Sequence, residues 1–371
     1  MEKLIFRKFF ADTIWFFLLG TLSLSLIVWV IQAVNYLDFV SEDGHSFKVY
    51  FLYTLLNFPK IFSRLIIFMF FISIFYTILK YEDKNELIIF WTNGIKKKEF
   101  YNLIIKFSLL FVILQLVLNT IIVPKTQDKA RSYIRSSNID YFPSLIKSKK
   151  FISTVEDLTI FVEKKEEGGK LYNIFLKDNN KNSASQIISA REGILKKNNN
   201  NFYLILYDGN IIESKNNNSN IINYEKTIIN LSKYSTKTTV DPKIQEQSTT
   251  LLFRCLVSIY KYNKSFKHKN LDCSEKKISV VVQELHKRIL IPFYIFVVAA
   301  IGSCLVLISN NVKNTQIYKF IIFIFGILFI VISQAVSQYI YTFNLKNIII
   351  SVLPFLIIMF FYTIIQFKLS E

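Results

Sequence analysis

The chain has 371 residues, 52% hydrophobic and 16% aromatic with only 9 Gly and 6 Pro; this is too apolar for an ordinary soluble domain and excludes collagen-like and Gly/Pro-rich low-complexity classes. Its formal net charge of +18 comes from Lys and Arg spread along the whole chain, not from a basic patch, so nucleic acid is not expected as a partner. The cysteines, Cys255, Cys273 and Cys304, are odd in number and lack CxxC spacing, so neither a disulfide framework nor a metal site is indicated; Cys255 and Cys273 could pair if their segment faces an oxidising compartment.

In chain order, Thr13 to Val34 carries no charge. At about 1.5 Å rise per residue it crosses a hydrocarbon core of about 30 Å. The run is too long for a signal-peptide core and has no small-residue cleavage site, so it reads as a retained membrane anchor. A second span is expected after Pro59, interrupted by Arg64 and ending at Lys80, and a third from Phe107 to Val123. Three more follow a long gap: Ile289 to Asn310, Phe320 to Leu345 and Asn347 to Phe367. Short-loop cations set the orientation, because Lys and Arg are retained on the cytoplasmic side. Lys3, Arg7 and Lys8 precede the first span, and Lys80, Lys84, Lys96, Lys97 and Lys98 follow the second, whereas the loop after the first holds Asp38, Glu42 and Asp43 against Lys48. Both termini and the loop Tyr81 to Phe100 are thus expected inside, with the insert beginning at Pro124 outside.

The insert reads as β structure. Leu158, Ile160 and Val162 alternate with Thr159, Phe161 and Glu163, and Leu171 to Lys177 resumes after Gly168-Gly169 as a hairpin partner. Phe202 to Tyr207, Asp208-Gly209 and Asn210 to Ser214 read as a hairpin with a two-residue turn. Further strands are expected at Ser185 to Arg191 and Ile221 to Leu231, favouring a sandwich or jelly roll. From Ser248 the pattern turns helical, and a helix from Ser279 is expected to run directly into the fourth span. The predicted organisation is a membrane half at 1–123, with a short cytoplasmic helix at about 82–95, a β-jellyroll-like domain at 124–247, a helical connection at 248–288 and a second membrane half at 289–371.

No nucleotide-binding glycine loop occurs, so any energy for uphill transport must come from another subunit. His45, His268 and His286 lack metal-ligand spacing, and no serine occupies a G-x-S-x-G elbow. The chain is therefore read as non-catalytic, with no cofactor. The stretch YEDKNELIIFWTNGIKKKEF is more informative: Glu86 to Trp91 form an amphipathic helix candidate, and Gly94 is a natural cap. Such a helix between two spans suits a groove on a cytoplasmic partner; the alternative is a helix lying on the lipid surface.

Asn85-Glu86-Leu87 through Gly94, FPKIFSRL at the second span, Val123-Pro124, and Glu284-Leu285-His286-Lys287-Arg288 with Pro292 together resemble the LptF/LptG family of lipopolysaccharide-export permeases, over essentially the whole chain. The resemblance implies three plus three transmembrane helices flanking a periplasmic β-jellyroll. It also implies an inner-membrane subunit of an ATP-driven extractor, with an LptB-like ABC ATPase dimer, a second LptG-like permease, an LptC-like periplasmic protein and lipopolysaccharide as partners. Glu86 matches the family's coupling-helix glutamate and Gly94 the glycine closing that helix, with Leu87, Phe90 and Trp91 between them. Arg64-Leu65 stands where the family often has a second proline, and Asp38, Glu42 and Asp43 replace a lysine cluster of LptG-like members, which leans the chain to the LptF side.

Lys60, Arg64 and Arg288, near expected outer ends of spans, could meet lipid phosphates or snorkel and anchor their helices. Glu284 and Arg288 are four apart in the order that favours a helical ion pair, giving them, with His286 and Pro292, a structural role at the junction. The rival readings are a permease of another lipid or envelope exporter, separated from the first by its copurifying lipid, a membrane enzyme acting on lipid or glycan, and a sensor with a periplasmic β domain.

Overall fold

The computed structural model describes residues 2–37, 40, 46–137, 146–155, 158–166, 169–178, 185–198, 201–215, 218–231, 243–262, 266–268, 271–273, 275–307 and 315–338, with scattered positions from 353 to 363. Five helical segments among them are long and apolar enough to cross a membrane: Leu4–Asn35, Phe47–Asp83, Lys97–Ile134, Ile278–Leu307 and Thr315–Val336. The sixth expected span, Asn347 to Phe367, falls mostly outside the described residues, and Asp38, Glu42, Asp43 and His45 lie wholly outside them.

Helix α1 (Glu2–Asn35) is followed by α2 (Phe47–Asp83), the short α3 (Leu87–Thr92) and α4 (Lys97–Val117). The second span does not begin after Pro59: α2 starts at Phe47 and carries Pro59 inside it. Proline removes one backbone donor, but in a bilayer leaving the helix would cost more unpaired groups than staying in it. The third helix likewise does not stop at Val123-Pro124, although its charge-free stretch ends there. A π turn at Leu118–Ile122 leads without a break into α5 (Val123–Ser137). Pro124 cannot donate to the carbonyl of Thr120, four residues back, and the Thr249 hydroxyl donates to that oxygen instead, at 2.7 Å.

The bundle core is built on α2, whose Ile66, Ile67, Phe70, Phe71, Ile74 and Ile78 are fully buried. Lipid tails are as apolar as these side chains, so interdigitation of the rings, more than exclusion of water, holds the helices together. Phe111 illustrates it, with Phe70, Phe107 and Phe17 ring centroids at 4.5, 5.2 and 4.8 Å. Buried hydroxyls return to their own helix, as Thr13 does to the Phe9 carbonyl and Ser73 to that of Met69.

The β unit is a six-stranded antiparallel sheet: β1 (Lys150–Val155), β2 (Leu158–Lys165), β3 (Lys170–Asp178), β4 (Ser185–Asn198), β5 (Asn201–Lys215) and β6 (Asn218–Asn230). The strands pair in sequence order, so the expected β domain is present but its topology is a meander. The crossing connections of a sandwich or Greek-key jelly roll do not occur among the described residues, because each connection is short enough to reach only its neighbour. One face carries the core, with Leu158, Ile160, Val162, Ile174, Leu176, Ile188, Leu204 and Leu206 buried.

Asp208-Gly209 does not form the expected hairpin turn, since β5 runs through both residues. Asp208 adopts φ 47° and Asn173 φ 50°. The register (Val162 with Ile174, Ile174 with Ala190, Ala190 with Gly209, Gly209 with Tyr224) resumes beyond the row Glu163, Asn173, Arg191, Asp208, Glu225. Across that row the buried set changes parity, from Leu171 to Ile174 on β3 and from Ala190 to Gly193 on β4. A left-handed residue can stand inside a strand as well as in a turn: the ladder skips Asn173 and Asp208 while the one-to-one register continues unchanged on either side, and the sheet is creased there. Gly209 lets strands close on this line: a Cβ there would lie 1.9 Å from the Ser189 carbonyl oxygen, which already accepts from the Tyr224 hydroxyl at 2.7 Å. Gly209→Ala is expected to cost about 1–3 kcal/mol, seen as a lower melting temperature of the β unit, with Asn210→Ala as the neutral control.

Between sheet and membrane helices lie a 3-10 turn (Ile244–Glu246), α6 (Thr249–Tyr262), strands β7 (Phe266–His268) and β8 (Leu271–Cys273), and α7 (Glu275–Ile289). Cys255 and Cys273 are joined by a disulfide that closes 18 residues and is buried with Leu252, Val281 and Leu285. Removing it in Cys255→Ser/Cys273→Ser is expected to lose about 3 kcal/mol, read as faster proteolysis within α6. The helix expected from Ser279 starts at Glu275 and does not run unbroken onward. Pro292 cannot donate to the Arg288 carbonyl, and a 3-10 turn at Ile291–Phe293 separates α7 from α8 (Tyr294–Ser303). Helix α9 (Thr315–Val336) completes the described bundle.

Candidate functional site

The loop between α2 and α4 is an elbow bracketed by two left-handed residues, Asn85 at φ 57° and Gly94 at φ 80°. Asparagine and glycine are the residues that take this conformation most readily. Between them α3 is six residues long, so the helix is shorter than the 82–95 stretch expected, and residues 82 and 83 belong to α2. Its end is a Schellman closure: the Ile95 amide donates to the Phe90 carbonyl at 3.1 Å and the Gly94 amide to that of Trp91 at 3.0 Å. Lys96 then starts α4, its amide donating to the Glu99 carboxylate at 3.2 Å.

So short a helix has no stability of its own, and packing holds it. Phe90 is fully buried among Phe6, Phe9 and Phe100, with ring centroids at 5.2, 6.3 and 5.2 Å. Leu87 is buried on the same side, and Trp91 is half-buried against Phe100 at 5.9 Å. Of the residues singled out on this helix, Leu87 and Phe90 therefore anchor it to α1 and α4. The apolar side chains turned outward are Ile88, 53% exposed, and Ile89, 48% exposed, neither of them among the residues expected to meet a partner. The i, i+3, i+4 spacing of Leu87, Phe90 and Trp91 already carries this division. Glu86 leads the helix, and its carboxylate lies 3.6 Å from the Lys8 ammonium, with the two side chains 27% and 66% exposed. A pair that open is worth about 0–1 kcal/mol, so Glu86 can exchange Lys8 for another cation.

At the start of α6 the structure gathers the second set of residues. Arg288 is only 3% exposed and has four hydrogen bonds. Its Nε donates to Glu284 Oε1 at 2.9 Å, Nη1 to the Gln247 carbonyl at 2.9 Å and to Thr249 Oγ1 at 3.0 Å, and Nη2 to the Gln245 carbonyl at 2.8 Å. Thr249 in turn donates to Thr120, so one guanidinium organises the entry to α6 and, through Thr249, the freed carbonyl of the π turn. Pro292 is buried in the turn that follows, and His286 is buried with neither ring nitrogen hydrogen-bonded among the described residues. Lys60, half-buried on α2, lies within Coulombic reach of Arg64, Lys243, Glu246 and Glu284, and Arg64 is exposed. Of the three cations expected to meet lipid phosphates, Lys60 and Arg64 remain accessible and Arg288 is engaged by its own chain.

The chain matches the family described as lipopolysaccharide export system permease LptF/LptG over residues 7–367. It is also 22% identical over 348 residues to the uncharacterized protein RP871 of Rickettsia prowazekii (strain Madrid E), covering 93% of this chain and 92% of that protein.

Proposed function

Because the chain belongs to the LptF/LptG family of lipopolysaccharide export permeases, we propose that it is a non-catalytic permease subunit of an ATP-driven extractor that lifts lipopolysaccharide from the inner membrane towards a periplasmic bridge. The observation that carries this reading is the elbow at α3. A helix rigidly seated by Phe90 presents Glu86, Ile88 and Ile89 outward, a form suited to a groove on a separate ATPase. An LptB-like ABC ATPase dimer would dock there. A second, LptG-like permease would complete the lipid cavity, with this chain in the LptF role, and an LptC-like protein would receive the lipid from the β unit. The disulfide at Cys255 and Cys273 supports an oxidising location for α6 and α7, in agreement with the Lys and Arg distribution that puts both termini and α3 in the cytoplasm and the β unit in the periplasm. The apolar flanks of α1 and α9, with Leu18, Leu22, Leu26, Phe320, Ile324 and Leu328 exposed, supply wall for acyl chains, and Lys60 and Arg64 supply cations for phosphates.

The test is purification of the tagged chain from its native membrane in mild detergent, with mass spectrometry of the accompanying proteins and lipids. An ATPase, a second permease of this family and lipopolysaccharide are expected. An ATPase with a different lipid would replace this reading by another exporter, and no ATPase at all would remove it. Glu86→Lys is expected to lower lipid-stimulated ATP hydrolysis about tenfold, the effect of losing about 1.4 kcal/mol of coupling, with insertion unchanged.

A further inference from the structure

Helices α2 and α9 meet along one antiparallel seam. A Cβ on Gly326 would lie 2.1 Å from Cζ of Phe71, so that ring lies directly against the glycine backbone. Phe323 packs on Phe71 and Phe75 at 6.1 and 5.0 Å, and Lys319 Nζ lies 2.9 Å from Glu82 Oε1. Positions 319, 323 and 326 of α9 thus follow 82, 75 and 71 of α2, the spacing that keeps contacts on one stripe of each helix. The opposite flank of α9 is exposed at Phe320, Ile321, Ile324 and Phe325.

The polar end of this seam is unlike the ion pairs beside it. Lys8 with Glu86 and Lys80 with Asp12 are both at 3.6 Å between open side chains. Lys319 with Glu82 is shorter, with the two side chains only 19% and 11% exposed, and the second Glu82 oxygen is buried with no hydrogen-bond partner among the described residues. A carboxylate so far removed from water is held by its one ammonium, and removing that ammonium has a large effect. Glu82 also supports the elbow, since its carbonyl accepts the Asn85 amide at 2.9 Å. One residue therefore holds the turn into α3 by its backbone and α9 by its side chain, whereas the rings of α3 rest on α1, α2 and α4 through Phe6, Phe9, Tyr81 and Phe100.

We propose that Glu82 and Lys319 are a positioning pair that transmits displacement of the α3 elbow to α9. This rests on the reading of the chain as an ATPase-driven permease. Movement of the elbow pulls on the Asn85 turn, and the Glu82 side chain carries the pull across the seam to Lys319, while Phe323 and Gly326 keep α9 in register.

The experiment uses the whole complex in proteoliposomes with purified lipopolysaccharide, measuring lipid released per ATP hydrolysed. Glu82→Gln and Lys319→Gln are each expected to lower that ratio about fivefold or more, with complex yield and unstimulated hydrolysis retained. The exchanged pair Glu82→Lys/Lys319→Glu is expected to recover at least half of the loss. Single variants that couple like wild type, an exchange no better than the singles, or singles that no longer assemble would each overturn the proposal, the last by making the pair a folding contact. A wild-type complex with no ATPase would instead overturn the functional reading on which the pair depends.

Discussion

Phe90→Ala is expected to disconnect α3 from the bundle while leaving the chain inserted. The ring is fully buried and contacts Phe6, Phe9, Tyr81 and Phe100, and deleting a buried phenylalanine costs about 3–5 kcal/mol. Six helical residues between two loops have no other source of stability of that size. The loss therefore falls on the local seat of α3, and the spans, which rest on α2, remain. Lipid-coupled ATP hydrolysis should drop to background, and α3 should become cleavable by protease in inside-out vesicles. Ile88→Asp/Ile89→Asp supplies the contrast: it is expected to abolish association with the proposed ATPase through the outward face without making α3 cleavable. If the Phe90 variant stayed protected and coupled, the aromatic seat would not be what positions this helix.

The second large effect is expected at Arg288. Arg288→Ala removes four hydrogen bonds and leaves Glu284, 14% exposed in its side chain, without its cation. Breaking one side of a buried pair costs about 3–5 kcal/mol, which should appear as a much lower melting temperature in detergent and as cleavage between residues 243 and 250. Arg288→Lys cannot reproduce the fork that reaches Gln245, Gln247 and Thr249 together, and it should recover less than half of the loss. Thr249→Val is a smaller probe. It uncovers the Thr120 carbonyl left by Pro124, at about 1–3 kcal/mol, and loosens the α5 end of the helix more than the α2 core.

Much of the architecture was legible in the residues, for reasons that also explain the errors. Charge-free runs such as Thr13 to Val34 locate spans because nothing but a helix satisfies their backbone in hydrocarbon. That same requirement carries α2 through Pro59, where the local behaviour of proline predicts a stop; at Pro124 the helix continues with Thr249 donating to the carbonyl that the proline frees. Asp208-Gly209 announces a positive φ, but the residues do not say whether that φ serves a turn or a crease inside a strand; only the partners Ser189 and Tyr224 decide. Gly94 was readable as the cap of the elbow helix, and the Glu284-Arg288 pair as an i, i+4 contact. The remaining partners of Arg288 lie 39 to 43 residues away in sequence, and Lys319 is further still from Glu82, so no local pattern joins them.

The crease through the β unit sets a rule for how this sequence can change. Strands β3 and β4 reverse their in-and-out alternation on one line, at Asn173 and Arg191, and the ladders of β2, β5 and β6 skip Glu163, Asp208 and Glu225 on the same line. Loops between strands can lengthen without disturbing that alignment. A single residue lost or gained between a loop and the crease would turn half a strand inside out against partners that have not moved. Viable insertions should therefore collect at the loop ends, and shifts in the position of the crease should occur in all five strands together or not at all.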